Sequence, residues 1–331
     1  KPITHASSAE PPGNACCGAD LADVKGQRSA KRALEIAAAG NHNLLFVGPP
    51  GTGKSMLARR LPGLLPKLSK SEALETAAIN SLAGVAVDAS EWHRRPFRSP
   101  HHTATAAALV GGGPKLSPGE VSRAHNGVLF LDELPEFNRN VLEVLREPME
   151  TGAITIARAG MHADFPARFQ LIAAMNPCPC GYLGDEQSDC RCSGDRVATY
   201  RNKVSGPLLD RIDLHVEVPR PSTAMLRGDG SDGEISSVVA ERVAKAWQLQ
   251  IRRAGCANSR LEGEQLAAVC ELEDACWSLL ESAAERFNLS ARAHQRARRV
   301  ARTIADLAGA KTIAPPHVAE ALSLRCLDRR L

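Results

Sequence analysis

Aromatic residues and long apolar runs are both scarce in this chain of 331 residues. Phe, Trp and Tyr together make up 4% of the sequence, a composition that suits packed helices better than a sandwich core rich in Tyr and Trp. No apolar run approaches the roughly 20 residues that a membrane-spanning helix needs. We therefore expect a globular protein with no secretory signal and no membrane partner.

A strong charge imbalance is also absent, since the net charge of +4 is compatible with a polyanionic partner but indicates one only weakly. The ten cysteines are more informative. A secreted protein would pair them, whereas intracellular enzymes keep thiols reduced and use clustered ones for metal binding or catalysis. We expect a cytoplasmic protein in which the scattered cysteines are ordinary thiols; these are Cys16, Cys17, Cys256, Cys270, Cys276 and Cys326.

Short apolar runs bounded by polar residues predict the buried strands of a parallel sheet with helices between them. The runs are Asn43–Val47, Gly127–Leu131, Phe169–Met175 and Asp213–Val218. A helical pattern at Ser29–Ala39 precedes the first run, and the pattern after a Pro/Gly/Asp-rich stretch is helical almost to the end. The sequence thus predicts an α/β domain followed by a smaller, all-helical domain. The expected boundaries are 1–19 for a linker or the remnant of another domain, 20–219 for the α/β domain, 220–235 for a linker and 236–331 for the helical domain.

The stretch "GPPGTGKS" follows the first predicted strand and matches the pattern G-x-x-x-x-G-K-S. Its glycines allow successive backbone N–H groups to turn inward around a β-phosphate at the N-terminus of a helix. Lys54 is expected to reach the β- and γ-oxygens, and the Ser55 hydroxyl to bind Mg²⁺. The predicted nucleotide-binding residues of this loop are Gly48, Pro49, Pro50, Gly51, Thr52, Gly53, Lys54 and Ser55.

Polar side chains that follow two other apolar runs complete a predicted site for hydrolysis of a nucleoside triphosphate. The stretch "VLFLDE" places Asp132 and Glu133 at a strand end, where ligands bind in open α/β sheets. Asp132 is expected to hold Mg²⁺ through water, and Glu133 to polarise the attacking water. Asn176 follows the strand that ends at Met175 and is expected to orient the water or sense the γ-phosphate, although a turn-forming Asn before Pro177 is the alternative.

The order of these motifs resembles the magnesium-chelatase-like branch of the AAA+ ATPases, and within it the ComM/YifB family. The stretches that carry the resemblance are "FRSPHHTATAAALVGGG", "PGEVSRAHNGVLFLDELPEF", "AAMNPCPCGY" and "SGPLLDRIDLHVEVPR", and the likeness extends over residues 20–331. It implies a P-loop AAA+ fold with a helical lid domain, ATP and Mg²⁺ as ligands, and a homo-oligomeric, usually hexameric, ring. It also implies helicase-like branch migration on single-stranded or branched DNA during natural transformation and recombination.

Two arginines gain roles from the same resemblance. Arg211, in "LLDRID", matches the arginine finger that would reach the ATP site of a neighbouring subunit. Arg292, in "LSARAHQRARRVARTIADL", matches the sensor-2 position that contacts the γ-phosphate of ATP. Without the resemblance, Arg211 would be read as a surface salt-bridge partner.

The stretch "GAITIARAGMHADFPARFQ" alternates like a β-hairpin, which in the resembling family faces the pore of the ring. Arg158 and His162 of this stretch, and Lys115 of "GGGPKLSPG", are candidates to contact a nucleic-acid backbone. An exposed, solvated side chain is an equally open interpretation of each.

Clustered cysteines lie in "CPCGYLGDEQSDCRC" as two C-x-C pairs separated by nine residues, at Cys178, Cys180, Cys190 and Cys192. Such a set matches a closed tetrahedral Zn²⁺ site, although C-x₂-C is the usual spacing. Two disulfides or an iron–sulfur cluster are the alternatives. Because four thiolates leave no open position for water, we expect the metal to brace the segment between Asn176 and Arg211 rather than to catalyse.

Two other groups of side chains are expected to be structural. His101 and His102 are adjacent, so their side chains should point apart, and no carboxylate accompanies them in the sequence. Apart from Arg292, the arginines that accumulate late in the chain are expected to form an ordinary exposed helix face, with contact to DNA phosphates as the alternative; they are Arg286, Arg296, Arg298, Arg299 and Arg302.

Two other functions remain open at this point. A chelatase-type motor subunit would use the same ATP machinery to remodel a protein partner during metal insertion into a tetrapyrrole. A protein unfoldase would also use it, although no Ser–Lys protease dyad can be assigned in these 331 residues.

Overall fold

The computed structural model describes residues 19–86, 89–112, 116–158, 161–221 and 233–327. Its centre is a five-stranded parallel sheet with the strand order β2-β5-β8-β1-β9. Two small antiparallel hairpins, β3–β4 and β6–β7, lie outside this sheet. The strands are β1 (Leu44–Val47), β2 (Phe97–Arg98), β3 (Gly111–Gly112), β4 (Ser117–Pro118), β5 (Val128–Leu131), β6 (Ala153–Arg158), β7 (Met161–Pro166), β8 (Gln170–Met175) and β9 (Leu214–Glu217).

Helices connect the strands and make up the C-terminal part. Those before β9 are α1 (Arg28–Gly40), α2 (Lys54–Ala58), α3 (Leu61–Leu64), α4 (Lys70–Leu82), α5 (Ala106–Val110), α6 (Glu120–Arg123), α7 (Arg139–Glu143), α8 (Arg146–Thr151), α9 (Gly194–Arg201) and α10 (Gly206–Leu209). Those after β9 are α11 (Ser236–Ala254), α12 (Gly263–Val269), α13 (Asp274–Phe287), α14 (Ala291–Leu307) and α15 (Pro315–Ser323). Short 3₁₀ helices lie at Leu21–Asp23, Ala89–Glu91, Leu134–Glu136 and Asn258–Arg260.

The predicted strands are confirmed, each within one or two residues, because a central parallel strand is apolar on both faces. In β1, Leu44 and Phe46 pack into one hydrophobic cluster, while Leu45 and Val47 pack into a second cluster across the sheet. This is the alternation that a pleated strand imposes on its side chains. The predicted helix at the N-terminal side of β1 is also confirmed as α1.

The helical part that follows β9 is not a separate core. Helices α11 and α14 pack against α1, and α11 also packs against α3. One continuous hydrophobic cluster therefore includes Phe46 of β1, Val243 of α11 and Ile304 of α14. The predicted fold class, a P-loop sheet flanked by helices and followed by a helical part, is confirmed.

Two elements of the sheet region were not predicted from the apolar patterns. Strand β2 is only two residues long and half-buried, and it pairs with β5 at the edge of the sheet. The β3–β4 hairpin begins with two glycines and packs beside β6. Neither has a run of apolar residues long enough to predict a strand.

Within the described ranges, no helix combines the length and apolar character needed to cross a membrane.

Candidate active site

The glycine-rich loop lies at the carboxyl end of β1, and its backbone explains the glycines in it. Gly53, which precedes α2, has φ of 90°, a left-handed conformation that favours glycine. A Cβ on Gly48 would lie 2.2 Å from the Val218 carbonyl oxygen, so only glycine allows the loop to pass this close to the end of β9. The loop thus curls tightly at the N-terminus of α2, the arrangement that binds phosphate groups.

Lys54 lies inside this curl. Its Nζ donates hydrogen bonds to the carbonyl oxygens of Gly48 and Pro49, both at 2.7 Å, and to Asn176 Oδ1 at 3.2 Å. Burial lowers the pKa of Lys54 to about 8, although the nearby carboxylates of Asp132 and Glu133 act in the opposite direction. An ammonium group held by neutral oxygens in a desolvated pocket is suited to an anion.

The residues predicted to bind Mg²⁺ lie together. Ser55 Oγ donates a hydrogen bond to Asp132 Oδ2 at 2.5 Å, so the hydroxyl and the carboxylate face the same point beside Lys54. Hydroxyl and carboxylate oxygens are the ligands that Mg²⁺ uses at nucleotide sites, together with phosphate oxygens and water. The residues present therefore fit a magnesium ion brought in with a nucleotide.

Glu133 projects from the same strand end in an unusual backbone conformation. Its φ is 52°, in the left-handed region, and its side chain is 55% exposed. Its Oε2 lies 3.4 Å from Nδ1 of His102. The strained backbone turns the carboxylate away from the sheet and toward open space, where a water molecule can reach it.

The two histidines differ from what adjacency in sequence predicts. The ring centroids of His101 and His102 lie 4.1 Å apart, so the side chains pack together rather than pointing apart. The expectation that no carboxylate accompanies them is also wrong, because Glu133 comes from another part of the chain. The His102 ring packs edge-on against Phe137, which holds it beside Glu133.

Arg211 and Arg292 lie at the other edge of the sheet. Arg211 is buried, donates a 2.6 Å hydrogen bond to the Pro207 carbonyl oxygen and forms a close ion pair with Glu150. Arg292 is 58% exposed, and its Nη2 lies 3.8 Å from the same Glu150 carboxylate. The structure therefore brings the two arginines together through Glu150, a residue that the sequence patterns did not single out.

Strand geometry shows why these arginines are remote from Lys54 of the same chain. Strand β9 runs parallel to β1, with Leu44 beside Leu214, so the segment before β9 lies at the amino edge of the sheet. The glycine-rich loop follows β1 and lies at the carboxyl edge. The four residues of β1, at about 3.3 Å each, separate the two edges by roughly 13 Å, and the glycine-rich loop and α2 add to this distance.

A buried polar network fixes the backbone next to Arg211. Asp213 accepts hydrogen bonds from the Asn43 backbone N–H at 2.8 Å and from Arg296 Nη1 at 2.7 Å. Arg296 Nη1 and Asn43 Nδ2 also both donate to the Arg211 carbonyl oxygen, at 3.0 Å each. Burial acts to raise the pKa of Asp213, but the positive charge of Arg296, the nearby His42 ring and the hydrogen bond from the Asn43 backbone outweigh it and hold this pKa far below its usual value.

The expected exposed arginine face is therefore wrong for part of α14. Arg296 pairs with buried Asp213, and Arg302 is itself buried and pairs with Asp306 at 2.9 Å. Arg298 lies over the Trp277 ring at 5.1 Å. Of the five arginines on this helix, Arg292 is the exposed one.

The four clustered cysteines converge in the structure, and their sulfur atoms all lie within 4.8 Å of one another. Cys178, Cys180 and Cys190 have sulfur–sulfur distances of 3.4, 3.6 and 3.7 Å. Thiolates around a tetrahedral ion with Zn–S bonds of about 2.3 Å would be about 3.8 Å apart. The set fits a closed metal site.

The segment that carries the cysteine cluster also packs against the glycine-rich loop. A Cβ on Gly181 would lie 2.7 Å from Cδ of Pro50 and 3.8 Å from Cγ of Asn176. Gly181 has φ of 87°, so the segment turns sharply at the point where it meets both residues. In the sequence the cluster lies between Asn176 and Arg211; the structure adds that Gly181, between Cys180 and Cys190, packs against Pro50 of the glycine-rich loop.

The predicted hairpin is confirmed as β6–β7, with Arg158 paired to Met161 at its end and His162 exposed. The β3–β4 hairpin packs beside β6, so the two hairpins are neighbours. Lys115 lies outside the described residues.

Most of the chain matches one known protein family. Residues 20–226 match the family described as magnesium chelatase, subunit ChlI, and residues 233–325 match its C-terminal domain. The chain belongs to the magnesium chelatase ChlI family. The matched residues include the glycine-rich loop, Asp132, Glu133 and the cysteine cluster.

Curated relatives place the chain more narrowly. It is 51% identical over 312 residues to the competence protein ComM of Haemophilus influenzae, a match that covers 94% of this chain and 61% of the relative. It is 52% identical over 315 residues to the uncharacterized protein YifB of Salmonella typhimurium, covering 95% of this chain and 62% of the relative. These matches support the predicted ComM/YifB branch. The chain spans about three fifths of the length of these relatives.

A more distant match lies outside this branch. The DNA replication licensing factor MCM3 homolog 1 of Zea mays is 28% identical over 208 residues, which cover 62% of this chain and 22% of the relative.

Proposed function

We propose that the chain is an ATP-hydrolysing AAA+ motor that works in a ring, with each hydrolysis site shared between two copies. Lys54, Ser55 and Asp132 meet at the carboxyl edge of the sheet, while Arg211 and Arg292 lie at the amino edge. This separation is the observation that carries the proposal, because the arginines expected at the γ-phosphate can reach only the nucleotide of another copy.

The residues at the carboxyl edge have distinct proposed roles. Lys54 neutralises charge on the β- and γ-phosphate oxygens, and Ser55 with Asp132 holds Mg²⁺, which polarises the phosphate oxygens when bound. Glu133 orients and polarises the attacking water, and Asn176, already hydrogen-bonded to Lys54, reports on the γ-phosphate. His102 holds the Glu133 carboxylate in place before a water reaches it.

The ion pair between Arg211 and Glu150 gives the proposed finger a resting position. In this arrangement Glu150 neutralises Arg211 until a neighbouring copy presents a nucleotide. A triphosphate carries more negative charge than one carboxylate, so it can replace Glu150 as the partner of the guanidinium. Arg292 lies beside the same carboxylate and would approach the phosphate with Arg211. Its assignment to ATP is thus a proposal about the nucleotide of the next subunit.

We propose DNA as the substrate on which the motor moves, with branch migration as the resulting reaction. The names of two relatives, a competence protein and a DNA replication licensing factor, support DNA over other substrates. The two neighbouring hairpins offer a surface for it. Arg158, His162 and Lys115 remain the proposed backbone contacts.

The test of this step is the ATPase rate with no DNA, single-stranded DNA, forked DNA and a four-way junction, each at two salt concentrations. We expect stimulation by DNA that falls steeply with salt, because binding to a phosphate backbone releases counterions. An ATPase that is indifferent to every DNA would overturn the DNA step and leave the motor intact.

The family match favours one second candidate, a chelatase-type motor that remodels a protein partner. It would share the ATP site and the arginines at the amino edge. DNA-independent ATPase activity is the result expected for it.

For the cysteine cluster we propose a structural Zn²⁺ ion. Because Gly181 contacts Pro50 and Asn176, the ion would stiffen the wall of the nucleotide site. Its removal is expected to affect nucleotide binding as well as stability.

A further inference from the structure

A second polar cavity lies at the amino edge of the sheet, away from the glycine-rich loop. It has a volume of about 320 Å³, at the lower end of the range for small-molecule sites. One side comes from the α/β part, with Glu72, Arg95 and Arg168, and the other from the helical part, with Trp247 and Arg260. The cavity therefore lies between the two parts of the chain.

The charges that line this cavity are unbalanced. Three guanidiniums face it, from Arg95, Arg168 and Arg260, and Glu72 is the one carboxylate among the lining residues. Arg95 Nη1 lies 3.4 Å from Glu72, which partly neutralises it. Within the described ranges, the guanidiniums of Arg168 and Arg260 have no hydrogen bond or ion pair.

The deepest arginine is rigidly held. The Arg95 side chain is 8% exposed and donates to the carbonyl oxygens of Pro66 at 2.6 Å and Asn126 at 2.7 Å. Its guanidinium lies 5.6 Å from the centre of the Trp247 ring, which is half-buried in the cavity wall. Arg95 and the aromatic wall therefore need little rearrangement to receive a ligand, and Arg168 and Arg260 add two guanidiniums that have no partner among the described residues.

We propose that this cavity binds a small phosphate compound with two or more phosphoryl groups, clamped between Arg168 of the α/β part and Arg260 of the helical part. Planar guanidiniums match phosphate oxygens in pairs, and a multivalent anion removes the repulsion between them. A cavity of this size suits a small molecule better than a DNA strand. Because the two arginines come from different parts of the chain, the bound compound would add a direct link between Arg168 and Arg260.

The test is calorimetric titration of pyrophosphate and of ADP into the chain carrying Lys54→Ala, in EDTA without magnesium, so that the glycine-rich loop does not contribute. We expect one saturable site per chain. Adding Arg168→Gln with Arg260→Gln should weaken binding about 10- to 100-fold, the loss of charge-assisted hydrogen bonds. Both side chains are exposed, so these variants should fold.

The matched control removes the same number of exposed positive charges elsewhere, with Arg139→Gln and Arg286→Gln in the Lys54→Ala chain. This control should bind as the Lys54→Ala chain does. Equal loss in the control, or no saturable binding by either compound, would overturn the proposal. Equal affinity for the two compounds would identify the phosphate end alone as the ligand. If ADP binds more tightly than pyrophosphate and Trp247→Leu removes this difference, the aromatic wall holds the base of ADP.

Discussion

The lowered pKa of Lys54 predicts that ATP binding at the proposed site depends on pH. In the free protein, burial places this pKa at about 8, so the ammonium group is mostly charged at pH 7 and mostly neutral at pH 9. A bound triphosphate stabilises the charged form and raises the pKa above this range. Affinity is therefore full below pH 8 and falls as the pH rises through it. From the protonated fraction at each pH, the loss between pH 7 and pH 9 is about tenfold, or roughly 1.4 kcal/mol.

The assay is calorimetric titration of a non-hydrolysable ATP analogue with Mg²⁺ at several pH values from 7 to 9. The matched control is Lys54→Arg, whose side chain stays charged throughout. It should bind more weakly but with an affinity that no longer depends on pH. A flat profile for the unmodified chain, or the same decline in the arginine variant, would refute the assignment of this pH dependence to Lys54.

Four other predictions follow from the site. Glu133→Gln should retain ATP and lose turnover by about 100-fold or more, as measured by phosphate release; near-normal turnover would remove Glu133 from water activation. Arg211→Ala should bind ATP without hydrolysing it. A 1:1 mixture of the Arg211→Ala and Lys54→Ala chains should recover up to roughly a quarter of the unmodified rate if each site is shared between two copies. No recovery would show that each copy acts alone. Elemental analysis should find one zinc per chain and almost none after Cys190→Ser, which should also lower the melting temperature; equal metal content in both would argue against the site. Asp213→Asn should cost about 1.5 to 3 kcal/mol in denaturant unfolding, because the largely buried Arg296 would lose its charged partner and keep only its hydrogen bond to the Arg211 carbonyl oxygen. In the unmodified chain this contribution to the free energy of unfolding is present above about pH 4 and is lost as the pH falls, since the pKa of Asp213 is lowered in the folded state. If the denaturant midpoint of Asp213→Asn equals that of the unmodified chain, this account is contradicted.

The apolar patterns predicted the central strands well because those strands are buried on both faces. Strand β5 is entirely apolar and fully buried, and the acidic pair that follows it lies where strand ends meet in a parallel sheet. Strand β2 was missed because two half-buried residues carry no periodicity. The glycine-rich loop was predictable because its conformation depends on local residues, with left-handed backbone at Gly53.

Contacts between distant segments could not be predicted in this way. His102 and Glu133 are 31 positions apart, and their contact depends on the packing of the His102 ring against Phe137. Glu150 had no motif, yet it joins Arg211 and Arg292. The arginines of α14 were expected on the surface because a sequence shows their spacing but not the buried Asp213 that Arg296 pairs with.

Placing phosphate-binding and arginine residues at opposite ends of such short strands gives the subunit a direction. If each arginine serves the next nucleotide, the contact between copies is heterologous, with two different surfaces, and a two-fold symmetric dimer cannot form it. An open row of copies always ends in one nucleotide site without its arginines and one pair of arginines without a nucleotide. Only closure of the row completes every site.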